Sequence, residues 1–130
     1  MIASIFEDFD LDKIFLDQCI HIEWRYNSPY FIAADCEKIF KFCESNDIAI
    51  LGIDGFEING KYWIALLDYI YDASSLVGVP WAEFMEKSIN GARLFINEVK
   101  SDEKYFEFVF CKKIKYQQNI EYKIKNYEVK

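Results

Sequence analysis

Two long apolar runs, separated by the pair Asn59-Gly60, dominate the hydrophobic pattern of the chain. Both runs are rich in β-branched and aromatic residues, which favour strands, and Asn-Gly is the pair that a two-residue type I′ turn prefers. We therefore predict a β-hairpin from Ile48 to Asp72 with Asn59 and Gly60 at the turn. This register implies four characteristic pairs: Phe56 with Trp63, Glu57 with Tyr62, Ile53 with Leu66, and Leu51 with Asp68.

Away from the turn, both faces of this hairpin are largely apolar. A strand that is apolar on both sides belongs inside a sheet with cover on each face, so we expect the hairpin to be central. The composition of residues 62–71 is also compatible with a helix, and this alternative stays open at this stage.

Helical spacing of apolar residues predicts three helices: Asp10–Cys19, Ala33–Ser45 and Trp81–Val99. Pro80 suits the start of the third helix, and Gly91 within it predicts close packing, with the sheet as a candidate neighbour. For the second helix, the pattern places Ile32, Cys36, Ile39, Phe40 and Cys43 on the buried face, and Asp35, Glu37, Lys38 and Lys41 on the polar face.

Alternating patterns predict further strands. A short strand is expected at His21–Tyr26, ended by residues 27–29, and a half-buried antiparallel strand at Tyr105–Ile114. A loop at residues 117–119 would lead to a last strand at residues 120–125. The predicted fold class is α+β: one domain over residues 1–130, with a central β-hairpin in a mainly antiparallel sheet, about three helices, and a C-terminal β-hairpin.

Composition and motifs do not point to an enzyme. Four cysteines without CxxC spacing and a single histidine, His21, form no zinc ligand set, so we expect neither a metal nor a cofactor. Cys19 and His21 are two positions apart and would not face each other on a helix. Asp68 and Asp72 would lie too far apart along a strand for a carboxylate dyad. No nucleophile elbow, phosphate loop or His-Glu-x-x-His motif occurs.

Charge is distributed unevenly. The net charge is −7, with fourteen acidic and five basic residues in positions 1–72 against eight and ten in positions 73–130. This balance argues against nucleic-acid binding and fits a basic protein partner, although surplus acid also keeps a small domain soluble. With no secretory signal and no apolar run long enough to span a membrane, the cytoplasm is the expected location.

The block from Asn46 to Ile58, with the helix before it, the segment Leu67–Asp72 after it and a Trp81 helix, resembles small immunity proteins of bacterial polymorphic toxin systems, in particular immunity protein family forty. The resemblance covers about residues 31–98 and includes no catalytic motif. It implies a cytoplasmic protein that binds a cognate toxin domain, often a nuclease, and protects the producing cell.

We predict that the partner-binding residues lie on the acidic, aromatic side of the hairpin: Asp54, Glu57, Tyr62, Trp63, Asp68 and Asp72. Two of them have ordinary structural alternatives, since Asp54 precedes a glycine and can shape a bulge, and Trp63 can be a core residue. Two other functions stay open. One is a ligand-binding or enzymatic domain with a pocket between the Trp81 helix and the sheet, and the other is a subunit that forms homodimers through an exposed strand.

Overall fold

The computed structural model describes residues 16–100 and 103–118. Within them the chain forms an α+β fold with a five-stranded antiparallel sheet in the order β1-β2-β5-β3-β4. The elements are β1 Ile22–Arg25, β2 Ser28–Ile32, α1 Ala33–Ser45, β3 Ile48–Asn59, β4 Tyr62–Asp72, a 3₁₀ turn Ser74–Leu76, α2 Trp81–Val99 and β5 Tyr105–Lys112. The predicted α+β class and the bounds of both described helices are confirmed.

The main core lies between one face of the sheet and the two helices. Phe106, Phe108 and Phe110 of β5 alternate toward this side and are buried. They meet Ile39 and Phe40 of α1, and residues of α2 complete the cluster. Aromatic rings form a large part of this core, where they pack edge to face or stacked, as aromatic pairs prefer.

The predicted polar face of α1 is wrong at Asp35, because the Asp35 side chain is fully buried. Its carboxylate accepts the backbone N–H groups of Ile20 and His21 at 2.8 and 3.1 Å, and Lys38 Nζ donates to it at 3.1 Å. Helical periodicity could not reveal this role, since the two amides come from a segment about fifteen residues earlier. Asp35 thereby fixes the chain segment before β1 against the first turn of α1.

A serine of α2 forms a hydrogen bond with the backbone at a bulge in β3. The pairing of β3 with β5 shifts between Ile50 and Gly52, so the Ile50 N–H falls at an irregular point of the ladder. Ser88 Oγ accepts this N–H at 3.1 Å and donates to Met85 O at 3.0 Å. A buried donor is costly unless it is paired, which explains a serine within the apolar stripe of α2.

The predicted hairpin forms, and β4 is a strand. The predicted register is wrong by two positions near the turn and by five positions farther along, where Ile53 pairs with Tyr71 instead of Leu66. Asn59 pairs with Tyr62 and Ile58 with Trp63, so the loop residues are Gly60 and Lys61. Gly60 has φ +60° while Lys61 does not have a positive φ, which is the pattern of a type II′ turn with glycine first. The sequence Asn59-Gly60-Lys61 is compatible with a turn centred on Asn59 and Gly60 or on Gly60 and Lys61, and the structure has the second of these.

The type I′ pattern occurs in the first hairpin instead. Tyr26 and Asn27 both have positive φ values, 50° and 63°, between β1 and β2. This corrects the expectation that residues 27–29 end the strand in a loop, because Ser28 and Pro29 begin β2. Pro29 lies where β2 stops pairing with β5, which is expected because proline offers no N–H to the next strand.

The position of the second hairpin also differs from the prediction. β3 is an interior strand, but β5 occupies the centre of the sheet and β4 is the last strand in the order. At the C-terminal end, residues 113–118 are helical, which corrects the strand end at Ile114 and the loop at 117–119. The predicted strand at 120–125 lies outside the described residues, as does most of the predicted helix Asp10–Cys19.

The β1–β2 hairpin covers the sheet face opposite the helices. β2 pairs with β5 only at Phe31 and Ile32. The residues of β2 that precede Phe31 contact side chains on the face of the sheet instead. The Tyr30 ring packs edge-on against Phe56 of β3, with centroids 5.0 Å apart. Arg25 Nη2 donates to Gly60 O at 2.7 Å. The first hairpin thus reaches the turn of the second and braces it.

Candidate partner-binding site

Exposed side chains of the β3–β4 hairpin form the candidate site. Large apolar side chains are normally buried, but Tyr62, Ile64, Leu67 and Ile70 of β4 are 54%, 43%, 83% and 50% exposed. They follow one another along a strand that lies at the end of the sheet. We call seven exposed side chains of this hairpin the hairpin surface. Glu57, Tyr62 and Ile64 lie on the helix side of the sheet, Leu67 and Asp68 lie in the irregular middle of β4, and Ile70 and Asp72 lie on the opposite face.

A bulge in β4 shapes the middle of the hairpin surface. The pairing passes from Gly55 with Leu66 to Asp54 with Ile70, so residues 67–69 are extra on the β4 side. Tyr69 turns inward, and its Cβ lies only 2.5 Å from where a Cβ at Gly55 would be. The missing side chain of Gly55 makes room for Tyr69, and Leu67 and Asp68 are left exposed.

Carboxylates flank the apolar side chains. Glu57 is opposite Ile64, Asp68 lies in the bulge, and Asp72 ends the strand; all three carboxylates are exposed. Within residues 16–100 and 103–118, none of the three forms an ion pair. Asp72 instead accepts the Ser74 N–H at 2.8 Å, which lowers its pKa. The surface therefore presents negative charge that the described part of the protein does not neutralise.

The six residues predicted from the sequence do not share one face. Asp54, Trp63 and Asp72 lie on the sheet face away from the helices, whereas Glu57 and Tyr62 point to the other side near the turn and Asp68 belongs to the bulge. Burial raises the pKa of Asp54, and the nearby charge of Asp72 raises it further. Their assignment to partner binding stays a prediction.

Trp63 is enclosed rather than presented to a partner. Its ring centroid lies 5.4 Å from Tyr26, 5.8 Å from Tyr30 and 6.1 Å from Phe56. Its indole nitrogen is shielded from solvent and makes no hydrogen bond with the described residues. These contacts make Trp63 the packing centre between the two hairpins, so it supports the hairpin surface from behind.

Protein-family models, curated proteins and solved structures were all compared with the chain, and none of them matches it. The resemblance to immunity protein family forty therefore stays a prediction.

The covered sheet face contains a buried polar group that the sequence pattern does not indicate. Glu107 of β5, on the side opposite the three phenylalanines, is only 4% exposed, and Ser28 Oγ donates to its carboxylate at 2.7 Å. Burial raises the pKa of Glu107, with a further contribution from Asp54. Burial likewise raises the pKa of Tyr30, and the neighbouring Glu107 adds to that shift. The alternating pattern gave no signal for this burial, because the covering β1–β2 hairpin is distant in sequence.

The groups considered for catalysis are not arranged for it. Burial and the Asp35 charge raise the pKa of Cys19, which disfavours the reactive thiolate, while His21 Nε2 lies 2.9 Å from Glu23 Oε1. Burial also raises the pKa values of Cys36 and Cys43. In the described part of the chain, no three His, Cys, Asp or Glu side chains are grouped to hold a metal ion, and no helix is long and apolar enough to cross a membrane.

The structure offers a groove of about 350 Å³, but not where a ligand pocket was considered. It lies between the end of α1 and the end of β5 and is lined by Asn46, Asp47 and Lys112 among others. At the start of α2, near the sheet, Trp81 and Phe84 pack against Tyr116, with the Phe84 and Tyr116 rings stacked at 4.5 Å. Side chains thus fill this part of the helix–sheet interface.

Proposed function

We propose that this protein is an immunity protein, which binds and neutralises a basic, nuclease-type toxin domain in the cytoplasm of the producing cell. The observation that carries this proposal is the hairpin surface, where four large apolar side chains of the last strand are exposed, on both faces of the sheet and in the bulge, near carboxylates that have no cationic partner among the described residues. The resemblance of residues 31–98 to immunity protein family forty points to the same role.

The chemistry of such a partner matches the surface. A nuclease must hold phosphates with basic side chains, so an inhibitor gains association rate and specificity from carboxylates placed around apolar anchors. Exposed aromatic and aliphatic residues supply the binding energy once they are desolvated. Arg25 braces the turn and the ring cluster around Trp63 backs the strand, so the surface is preorganised and loses little entropy on binding.

Co-expression tests the proposal directly. The candidate toxin is the C-terminal domain of any toxin-like reading frame encoded beside this gene, and it would be induced in a bacterial host with and without this protein. A gene without such a neighbour would count against the proposal. We expect the domain alone to arrest growth and the protein to restore it, and the two purified chains to elute together from a sizing column. An adjacent domain that remains toxic in the presence of this protein, and does not bind it, would contradict the proposal.

A matched pair of substitutions locates the binding surface. Leu67→Ala removes an 83% exposed leucine from the hairpin surface, and Leu94→Ala removes a 68% exposed leucine from α2. Neither change creates a cavity, so both variants should keep the wild-type melting temperature. Loss of protection with Leu67→Ala alone is the expected result, whereas equal protection by both variants would assign binding to another surface.

A further inference from the structure

The hydrogen-bonding direction of β4 follows from its turn. With Gly60 and Lys61 as the two loop residues, Asn59 and Tyr62 form the first hydrogen-bonded pair, and bonded and non-bonded pairs then alternate along an antiparallel ladder. The backbone groups of Ile64 therefore point to β3. Those of Trp63 and Ala65 point away from the sheet.

Among residues 16–100 and 103–118, no strand pairs with the outward side of β4, which forms a short edge. β4 is the last strand in the order, and its regular pairing runs over residues 62–66 before the bulge interrupts it. Edge strands in native proteins are usually blunted by lysine, proline or a bulge. Here the bulge ends the edge at Leu66, but the segment 62–66 itself contains no charge and no proline. Its outward backbone N–H and C=O groups can form hydrogen bonds with one added strand.

The charges around the edge select the kind of strand. Glu57 lies beside Ile64, Asp68 lies two positions after the edge segment, and Lys61 lies in the turn before it. An added strand would place its alternate side chains next to Tyr62 and Ile64 on one side and within reach of these carboxylates. Lysine or arginine alternating with apolar residues complements this surface. A second copy of this chain would instead bring together two acidic hairpins and two net charges of −7.

We propose that the partner binds by strand addition, in which an extended basic and apolar strand of the toxin domain pairs with residues 62–66 of β4. This inference rests on the proposed function and specifies how the hairpin surface performs it. Main-chain hydrogen bonds to Trp63 and Ala65 supply the register, and the neighbouring side chains supply specificity.

Replacing Ala65 tests strand addition while sparing the hairpin. Ala65→Pro removes an N–H that does not bond to β3, and proline is tolerated at such edge positions. Ala65→Val keeps the N–H and adds bulk, so it is the matched control. Calorimetric titration with the adjacent toxin domain should show at least about tenfold weaker binding for Ala65→Pro and little change for Ala65→Val, because one lost hydrogen bond also leaves a buried acceptor unpaired.

Amide hydrogen exchange of the wild-type protein keeps the test independent of the folding of the proline variant. On addition of the toxin domain, the Trp63 and Ala65 amides should become protected. If the domain binds but leaves both amides exchanging as before, strand addition is wrong while the proposed function stands. If the domain does not bind at all, both fail. Protection of the two amides by self-association alone, seen as a dimer in sedimentation, would assign the edge to a second copy and overturn the inference.

Discussion

Asp54 and Glu107 are cross-strand partners on the sheet face that the β1–β2 hairpin covers, and burial raises the pKa of both carboxyls. Two neighbouring carboxylates in a poorly solvated place disfavour each other's ionisation. The arrangement opposes folding at neutral pH, since the charged form of each group is less well solvated in the folded state than in the unfolded chain.

The first prediction concerns the pH dependence of Glu107→Gln. A carboxyl with a raised folded pKa binds more protons in the folded state between its unfolded and folded pKa values, so its contribution to stability declines as pH rises through that window. The stability of Glu107→Gln relative to wild type should therefore increase with pH across the same window. Urea denaturation at several pH values measures this difference.

Glu44→Gln provides the control of opposite sign. Hydrogen bonds from Arg93 lower the pKa of Glu44, so its stabilising contribution is present above the unfolded pKa and is lost as pH falls. Relative to wild type, Glu44→Gln should thus become less stable as pH rises. If the stability of both variants relative to wild type changed with pH in the same direction, Glu107 would not be a buried, destabilised carboxylate.

The second prediction concerns Gly91 of α2. A Cβ at this position would collide with the Tyr71 hydroxyl and lie 3.0 Å from its ring atoms, and the Tyr71 hydroxyl donates to Ser88 O at 2.8 Å. Gly91→Ala should therefore destabilise the protein by about 1–3 kcal/mol despite the better helix propensity of alanine. The exposed neighbour Asn90→Ala should change stability by less than about 0.5 kcal/mol.

A double-mutant cycle identifies the cause of the Gly91 effect. In a Tyr71→Phe background the colliding hydroxyl is absent, so Gly91→Ala should cost less than it does in the wild type. Thermal and urea denaturation of the four proteins give the coupling energy. Additive effects would mean that the Tyr71 hydroxyl is not the group that excludes a side chain at this position.

The third prediction concerns Asp35. Replacing it by alanine leaves two backbone N–H groups without their acceptor and removes the carboxylate that pairs with Lys38, which keeps its hydrogen bond to Gln18 O. We therefore expect a loss of about 3 kcal/mol in the free energy of unfolding. Lys41→Ala, an exposed change on the same helix, should stay within about 0.5 kcal/mol of wild type. A similarly small effect for Asp35→Ala would show that the segment before β1 is not held by this carboxylate.

Local patterns predicted the parts of the fold that depend on local chemistry. The periodicity of the chain gave both described helices with their bounds, and the glycine within α2 indicated the close contact with Tyr71. The hairpin was predictable because turn residues and strand propensity agree over residues 48–72. Its register was not, because Asn59-Gly60-Lys61 fits two placements of a glycine-containing turn and only one allows the observed pairing.

Burial of isolated polar residues could not be predicted, because it depends on segments brought from elsewhere. The buried Asp35 carboxylate accepts hydrogen bonds from amides about fifteen residues earlier in the chain. The buried Glu107 carboxylate accepts one from Ser28, which is 79 positions away. The edge position of β4 follows from the insertion of β5 between β2 and β3, a topological choice that hydrophobicity does not encode. Two residues of the predicted site, Asp54 and Trp63, therefore lie on the covered face, whereas Glu57, Tyr62, Asp68 and Asp72 belong to the hairpin surface.

The fourth prediction concerns the free protein in solution. If the Trp63 and Ala65 backbone groups point away from β3, their amides should exchange with solvent at least about tenfold faster than those of Ile64 and Leu66. Hydrogen exchange followed by nuclear magnetic resonance measures the four rates. Slow exchange at Ala65 in a monomer, matching that of Ile64, would contradict the open edge.

The last prediction addresses the acidic character of the hairpin surface. Glu57→Lys and Asp68→Lys each reverse a charge beside the edge segment, and Glu86→Lys makes the same change at an exposed position of α2. All three variants should keep nearly wild-type melting temperatures, because surface substitutions without partners rarely change stability. Charge complementarity acts mainly on the association rate, which falls with ionic strength.

The hairpin surface is tested by the association rate constant for the candidate toxin domain, measured as a function of salt concentration for wild type and the three variants. Glu57→Lys and Asp68→Lys should associate more slowly and with a flatter salt dependence, and Glu86→Lys should stay close to wild type. Association that is unchanged by the two hairpin reversals, or is slowed equally by all three variants, would contradict the hairpin surface as the binding site for a basic partner.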